Sequence, residues 1–444
     1  MNLTAKVLIG MGLGMIVGLT LNWSGTNVDG SFTNQYVVNG LFHTVGALFI
    51  NALRMLVVPL VLFSLICGVC GIGDIKLLGR IGSKSFALYM MTTAVAIATA
   101  ITIAAVFEIG KGMNAPTDAV FNAQTPPPLS QVLIDIIPTN PIQAMANGEM
   151  LSIIFFAMMV GISILLVGKK AKGLVENVEL MNEVMMKMVG IVMSLAPYAV
   201  FCLLARAMAN LGMELLWQLI WYVSVLVGAL MFHMLITLQG TLMIFSGLNP
   251  IKFLKKMRNA QIFAFSTSSS NATIPVTLRT VTNRLGVNNS VASFTVPFGA
   301  TINMDGTAIM QGVATVFIAN VYGVDLGISG YLTVILMSVL ASIGTAGVPG
   351  VGLIMLSMVF AQVGLPMEGI GLILGVDRIL DMIRTSVNVT GDAVVSAIVA
   401  KSEGKFNMDI FNDPDAGLID ESETQVDIDD EKELAEAVTS TANN

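Results

Sequence analysis

Charge is what this sequence has least of. Asp, Glu, Lys and Arg together make up 11% of the residues, whereas 55% are hydrophobic and mean hydropathy is +0.80. A soluble domain carries roughly 25% charged residues, so composition excludes an ordinary soluble protein and points to an all-α polytopic membrane protein. Histidine is nearly absent. With only His43 and His233, a multi-histidine metal site is excluded, and neither lies near the serines as a hydrolase would need. Cysteine is scarce too: Cys67 and Cys70 form a CxxC without a second pair, so with Cys202 they read as small packing residues in apolar runs. Met1 to Leu21 has one early Lys6 and no small-residue cleavage pattern, and reads as a retained first helix.

What is present begins with long apolar runs. A membrane helix needs about 20 apolar residues, and the candidates are 5–21, 41–70, 82–107, 151–168, 187–211 and 215–245. Basic clusters follow the even-numbered ones: Lys76, Arg80 and Lys84; Lys169, Lys170 and Lys172; Lys252, Lys255, Lys256 and Arg258. Positive loops stay in the cytoplasm, which places the N-terminus inside and the loop from Glu108 to Met150 outside. Pro126, Pro127 and Pro128 argue against a helix in that loop. At the other end, residues 401–444 hold 13 acids against 3 bases. From about Phe406 this reads as a disordered acidic cytoplasmic tail, either simply solvated or meeting a basic partner.

Beyond residue 250 the apolar segments become shorter and are broken. Phe263–Leu278 contains STSSSNATIPV, Ser293–Val321 contains GATINMDGT, and Tyr331–Val363 contains SIGTAGVPGVG. Irregular backbone at membrane depth is tolerated where protein buries it or where it lines a cavity. Interrupted segments at corresponding places in two halves point to a transporter binding site. The pattern predicts two re-entrant hairpins, each followed by a polar helix, related as inverted repeats. The hairpins present Ser269, Ser270, Gly347, Val348 and Gly350 at half-helix N-termini, where N–H groups favour anions. In NMDGT, Asn303 and Asp305 supply oxygens and Gly306 permits local unwinding, a donor set suited to a hard cation such as sodium.

The last polar helix, Gly375 to Lys401, carries Asp377, Asp381, Arg384, Thr385, Asn388 and Asp392. At about 100° per residue, Asp377, Asp381, Arg384, Asn388 and Asp392 fall within an arc of roughly 80°. Ionisable groups inside a membrane are costly and mark a substrate or ion path. Arg384 offers a fork for a carboxylate and Asp381 a partner for an ammonium, which together describe a site for a molecule with two carboxylates and one amine.

SSSNATIP, GATINMDGTA, IGTAGVPG and LDMIRTSVNVTGD, in this order and spacing, resemble the dicarboxylate/amino acid:cation symporters, the sodium-coupled glutamate and aspartate transporters, over roughly residues 1–405. The resemblance implies eight transmembrane helices plus two re-entrant hairpins in a homotrimer of the elevator type. Residues 1–250 would be mainly scaffold and trimerisation helices, with helix 82–107 joining the transport domain of 251–405, and 406–444 the tail. It implies that Arg384 binds the substrate side-chain carboxylate and Asp381 its amine, with Thr307, Thr385, Asn388 and the backbone near Ser269, Ser270, Val348 and Gly350 adding hydrogen bonds. Three sodium sites are implied: Asp392 with Gly299, Asn303 and Asn388; Tyr89, Thr92 and Thr93 with Asn303 and Asp305; and Thr301, Ser342, Ile343 and Thr345. Family members commonly carry a second arginine at the inner hairpin tip or just after the amine-binding aspartate. Here those places are Ser268 and Met382, while Arg378 stands three residues before Asp381, in reach of an i,i+3 contact. Asn271 stands where Ser or Gly is usual, and Thr93 where Ser is also found.

The expected function is therefore sodium-coupled symport of aspartate or glutamate across the cytoplasmic membrane, with both termini cytoplasmic, lipid and an acidic amino acid as partners, and no nucleic acid. Two alternatives stand beside it: a proton-coupled glutamate or C4-dicarboxylate symporter, and an intramembrane hydrolase using Ser or Asp. Asp381 opposes a plain dicarboxylate. Arg384, on the same face as the aspartates, opposes the hydrolase by holding them ionised.

Overall fold

The computed structural model describes residues 3–25, 27, 30–70, 78–112, 134, 136–345, 347 and 349–417. Every named element among them is a helix, apart from one isolated antiparallel bridge between Val287 and Phe406. Five helical rods are long and apolar enough to cross a membrane: Ala5–Trp23, Thr33–Cys67, Arg80–Val106, Ser152–Ser194 and Ala196–Ser246. The protein is a multi-pass, all-helical membrane protein.

The first half contains α1 (Leu3–Trp23), α2 (His43–Cys70), α3 (Ser83–Val106), the short α4 (Pro141–Asn147), α5 (Met150–Val167), α6 (Lys172–Ser194), α7 (Ala196–Phe232) and α8 (Leu238–Ser246). Helix α1 lies against α7 through Gly10, Gly14 and Gly18. A Cβ on any of the three would come within 2.4–2.6 Å of the main-chain oxygens of Pro197, Phe201 and Ala205. Small residues every four positions let two backbones approach where lipid supplies no hydrophobic drive.

The expected single span over 187–211 is interrupted. Helix α6 ends at Ser194 and α7 starts afresh at Ala196, because Pro197 sits in its first turn, where its missing N–H costs nothing. The polar stretch before residue 187 is helical and not a loop: Lys172 and Glu176 pair at i,i+4 along an exposed face. Gly212, at φ 62°, divides α7 between the expected 187–211 and 215–245 segments. The proline-rich stretch 126–128 lies outside the described residues.

In the second half, α9 (Pro250–Thr267) and α10 (Ser270–Arg279) form one hairpin, and α13 (Gly327–Gly344) and α14 (Val351–Val363) another. At 1.5 Å per residue the second limbs, α10 and α14, cover only about 15 and 20 Å, short of about 30 Å of hydrocarbon. Between the hairpins, α11 (Asn289–Ile302) and α12 (Asp305–Val321) are parted by the unwound pair Asn303 and Met304. Helix α15 (Gly369–Ser402) is one continuous rod buried on nearly every side. At its end Glu403 accepts from Lys84 Nζ at 2.6 Å and pairs with Arg80, tying α15 to the start of α3. The Lys84 hydrogen bond holds the Glu403 carboxyl below the usual glutamate range.

The tail boundary lies further on than the composition predicts. Residues past Phe406 continue into α16 (Met408–Asn412), capped by Asn407 and burying Phe411. Asn407 N–H donates to Gly286 O at 2.7 Å, and Asn288 N–H to Lys405 O at 3.0 Å. Acidic composition fails as a guide here because Phe406, Ile410 and Phe411 carry the packing while the acids around them face outward.

Candidate functional site

The site lies where the two hairpin tips meet the unwound turn and the polar face of α15. At the first tip, Ser268 takes a left-handed φ of 50°, and Ser269 caps α10 by accepting from Ala272 N–H. Ser269 Oγ donates to Gly347 O at 2.7 Å, and Asn271 N–H to the same oxygen at 3.1 Å. The tips are thus stitched together through Gly347, where a Cβ would be 3.0 Å from Ser270 Cβ. Ser269 and Ser270 are buried; Val348 lies outside the described residues.

Arg384 is completely buried. Its Nη1 donates to Asp377 Oδ1 at 2.7 Å and its Nη2 to Asp381 Oδ1 at 2.8 Å. Arg378 Nη1 stands 3.7 Å from the other Asp381 oxygen, the i,i+3 contact expected of it. Asp381 Oδ2 also accepts from Gly350 N–H at 3.3 Å, bringing the second hairpin tip to the charged cluster. Arg384 Nε is buried without an acceptor among the described residues, so one donor of its fork is available to a ligand. Thr307 is buried, within reach of Gly352 beside Arg384. Thr385 Oγ1 donates to Asp381 O in its own helix. A cavity of about 20 Å³ borders Gly350, Asp377, Arg378 and Asp381, room for about one water molecule. The space is too small for an amino acid as it stands.

The oxygen-rich half lies just beyond. Asn303 Nδ2 donates to Asp392 Oδ1 at 2.9 Å and points to Asn388 O at 3.4 Å, while Gly299 O accepts from Asn303 N–H at 2.8 Å. Asn388 Oδ1 accepts from Gly306 N–H at 2.7 Å. Gly306 has to be glycine, since a Cβ would sit 2.6 Å from Arg384 O. Thr93 Oγ1 donates to Asp305 Oδ1 at 2.6 Å, Thr92 Oγ1 donates to Tyr89 O, and Tyr89 OH donates to Thr295 O while lying beside Gly299. Asn303 Oδ1, at the centre, is buried and accepts nothing among the described residues. An oxygen so placed among carboxylates and carbonyls fits a cation better than a donor. Ser342 Oγ reaches Ile302 O at 3.2 Å, next to Thr301. Ile343 and Thr345 are buried at the end of α13, but the Thr301 and Thr345 hydroxyls turn to carbonyls of their own helices.

The partners of two residues lie beyond sequence reasoning. Asp377 was visible on the polar stripe, yet only the structure makes it the first partner of Arg384. His233 Nε2 lies 3.1 Å from Asp305 Oδ2, both side chains fully buried. It sits in a π-helical turn, His233–Thr237, joining α7 to α8; such turns recur at functional sites. A lone histidine in an apolar run was the available signal.

Residues 3–402 match the model of the sodium:dicarboxylate symporter family. The chain is similar to the proton/glutamate-aspartate symporter of Escherichia coli, at 35% identity over 91% of this chain and 94% of that protein. It is similar to the proton/sodium-glutamate symport protein of Geobacillus stearothermophilus at 33%, over 90% and 96%. A C4-dicarboxylate transport protein of Bacillus subtilis matches at 29%, over 91% and 94%. A match over nearly the whole chain, with relatives that cover it end to end at 33–35% identity, decides the grouping: the chain belongs to the sodium:dicarboxylate symporter family, a family of transporters and not of enzymes.

Proposed function

We propose that the protein is a secondary active transporter that carries aspartate or glutamate with sodium across the cytoplasmic membrane. The observation that carries this reading is the buried Arg384, held between two aspartates with one donor unpaired at the meeting of the hairpin tips. A substrate side-chain carboxylate takes the Arg384 fork, and Asp381, released from Arg384, takes the ammonium. Asp377 retains Arg384 in the absence of substrate, and Arg378 keeps Asp381 partnered in the same state. The α-carboxylate meets the half-helix N–H groups near Ser270 and Val348, and Thr307, Thr385 and Asn388 complete the polar lining. The second hairpin is the moving tip, since its Gly350 contact with Asp381 must break to admit substrate.

Sodium is the proposed coupling ion, read as cargo. Asp392, Asn303 Oδ1 and the carbonyls of Gly299 and Asn388 form one site; Asp305 with Tyr89, Thr92 and Thr93 a second; and the main chain around Thr301, Ser342, Ile343 and Thr345 a third, assembled as the second hairpin closes. Eight spanning helices, an elevator motion of the hairpin-bearing half against a scaffold of mainly residues 1–250, a homotrimer, and cytoplasmic termini complete the reading. Uptake of labelled aspartate into proteoliposomes, with sodium and proton gradients imposed separately, tests it. Asp392→Asn and Asp305→Asn should each raise the sodium concentration for half-maximal uptake by roughly tenfold or more. Unchanged sodium dependence in both removes the cation assignment.

A second reading, proton coupling, draws on the His233–Asp305 contact and on the proton/glutamate-aspartate symporter among the relatives. Under it, a proton gradient alone drives uptake and His233→Gln abolishes that drive. Under the sodium reading His233→Gln retains sodium-driven uptake.

A further inference from the structure

At the base of the first hairpin, away from its serine tip, lies a cavity of about 460 Å³ lined by Asn259, Arg279, Thr280, Arg284 and Gly417. Its chemistry is cationic. No carboxylate among the described residues lies within salt-bridge distance of the Arg279 or Arg284 guanidinium. Arg284 Nη1 reaches only Lys256 O, at a long 3.4 Å, and Arg284 Nε is buried without an acceptor. A buried guanidinium donor without a partner is costly, and a carboxylate is the group its fork fits. Lys256 adds a further cation nearby, its Nζ donating to the carbonyls of Arg284, Ile410 and Asp413 at 2.6–2.7 Å.

The wall residue Gly417 is also where the acidic tail begins. Residues 418–444 carry nine acids and one lysine, with Asp420, Glu421 and Glu423 first in line. Asp420 is three residues from Gly417, a reach of roughly 10 Å at full extension. Gly417 itself is pinned, since a Cβ there would lie 2.8 Å from Asn283 O and 2.9 Å from the Arg284 side chain. The tail therefore leaves the molecule at the mouth of the arginine cavity, at high effective concentration and with the complementary charge. We propose that this cavity is a carboxylate-binding site whose occupant is the chain's own acidic segment at Asp420–Glu423, folded back on the hairpin base. The site is separate from the substrate site and does not depend on which ion drives transport.

The test uses the full chain with Cys67, Cys70 and Cys202 replaced by serine and with Asn259→Cys and Ser422→Cys introduced, in phosphatidylcholine vesicles. Oxidant-induced disulfide formation between the two positions should be fast. It should fall about fivefold on neutralising the tail with Asp420→Asn, Glu421→Gln and Glu423→Gln, and similarly at raised ionic strength. Arg279→Gln with Arg284→Gln should act alike. The tail variant keeps the test decisive if the arginine variant fails to fold. A yield indifferent to tail charge overturns the proposal. A yield low in phosphatidylcholine, with labelled phosphatidylglycerol retained by the protein and lost on Arg279→Gln with Arg284→Gln, assigns the cavity to lipid headgroups and overturns the tail as its occupant.

Discussion

Under the proposed function Arg384 concentrates the selectivity of the site, and its surroundings set how large that selectivity can be. Every common amino acid offers an α-carboxylate and an ammonium; only the side-chain carboxylate distinguishes aspartate and glutamate. Were Arg384 left bare by a neutral substrate, the penalty would be that of a buried unpaired charge, ~3–5 kcal/mol. Asp377, 2.7 Å away, prevents that by remaining paired. Discrimination then rests on the charge-assisted bond itself, about 1.5–3 kcal/mol, or roughly 10- to 100-fold in affinity. Arg384→Thr should abolish aspartate uptake and admit serine or alanine, whose amine still meets Asp381. It also strands Asp377 without its cation, so Arg384→Thr should express poorly and Arg384→Thr with Asp377→Asn better. Competition of neutral and acidic amino acids against labelled uptake reads the first effect. High-affinity aspartate transport surviving in Arg384→Thr would pass the selector role to Arg378.

At the level of elements, packing is decided by backbone proximity more than by side-chain character. Gly14 faces the Phe201 carbonyl at a distance no Cβ can occupy, whereas a Cβ on Gly12 meets nothing within 4 Å. Gly14→Val should force α1 off α7 and cost ~1–3 kcal/mol as overpacking does, while Gly12→Ala is tolerated. Thermal unfolding of the purified protein in detergent separates them; equal midpoints would show that α1 does not depend on this seam. The same elements show how far residues alone reveal structure. The broken hairpins, the unwound Asn303–Met304 turn and the polar stripe of α15 were legible because each violates the apolar monotony of a membrane segment. The restart at Ala196 was not, since Pro197 lies inside an unbroken apolar run. Nor were the pairings His233 with Asp305 and Asp377 with Arg384, because which buried partner a side chain finds depends on how separate helices, or facing turns of one helix, are rotated and seated. Asn303 was expected as an oxygen donor, but only the packed site reveals that its carbonyl oxygen is the unpaired one.

For the whole molecule, the consequence lies at the C-terminus. Composition alone makes Lys405 a safe place to stop, with everything after it solvated. The folded chain places Phe411 in the core at 1% exposure and brings Ile410 O and Asp413 O onto Lys256 Nζ, itself 4% exposed. Ending the chain after Lys405 deletes a buried aromatic, a loss comparable to a Phe→Ala core change of about 3–5 kcal/mol. It also strips Ile410 O and Asp413 O from the Lys256 ammonium, leaving Arg284 O as its one remaining carbonyl partner. Lys256 and Arg284 flank the first hairpin, whose far tip carries Ser269 and Ser270, so a loosened base would reach the proposed substrate site through the two helical limbs. Truncation after Lys405 should therefore lower both thermal stability and uptake, whereas truncation after Gly417, which keeps every one of these contacts, should leave uptake of labelled aspartate in proteoliposomes near that of the full chain. Phe411→Ala in the full chain should reproduce much of the longer truncation's loss of stability. If truncation after Lys405 instead transports and melts like the full chain, the packed segment Phe406–Asp413 contributes nothing, and the functional boundary returns to the end of α15.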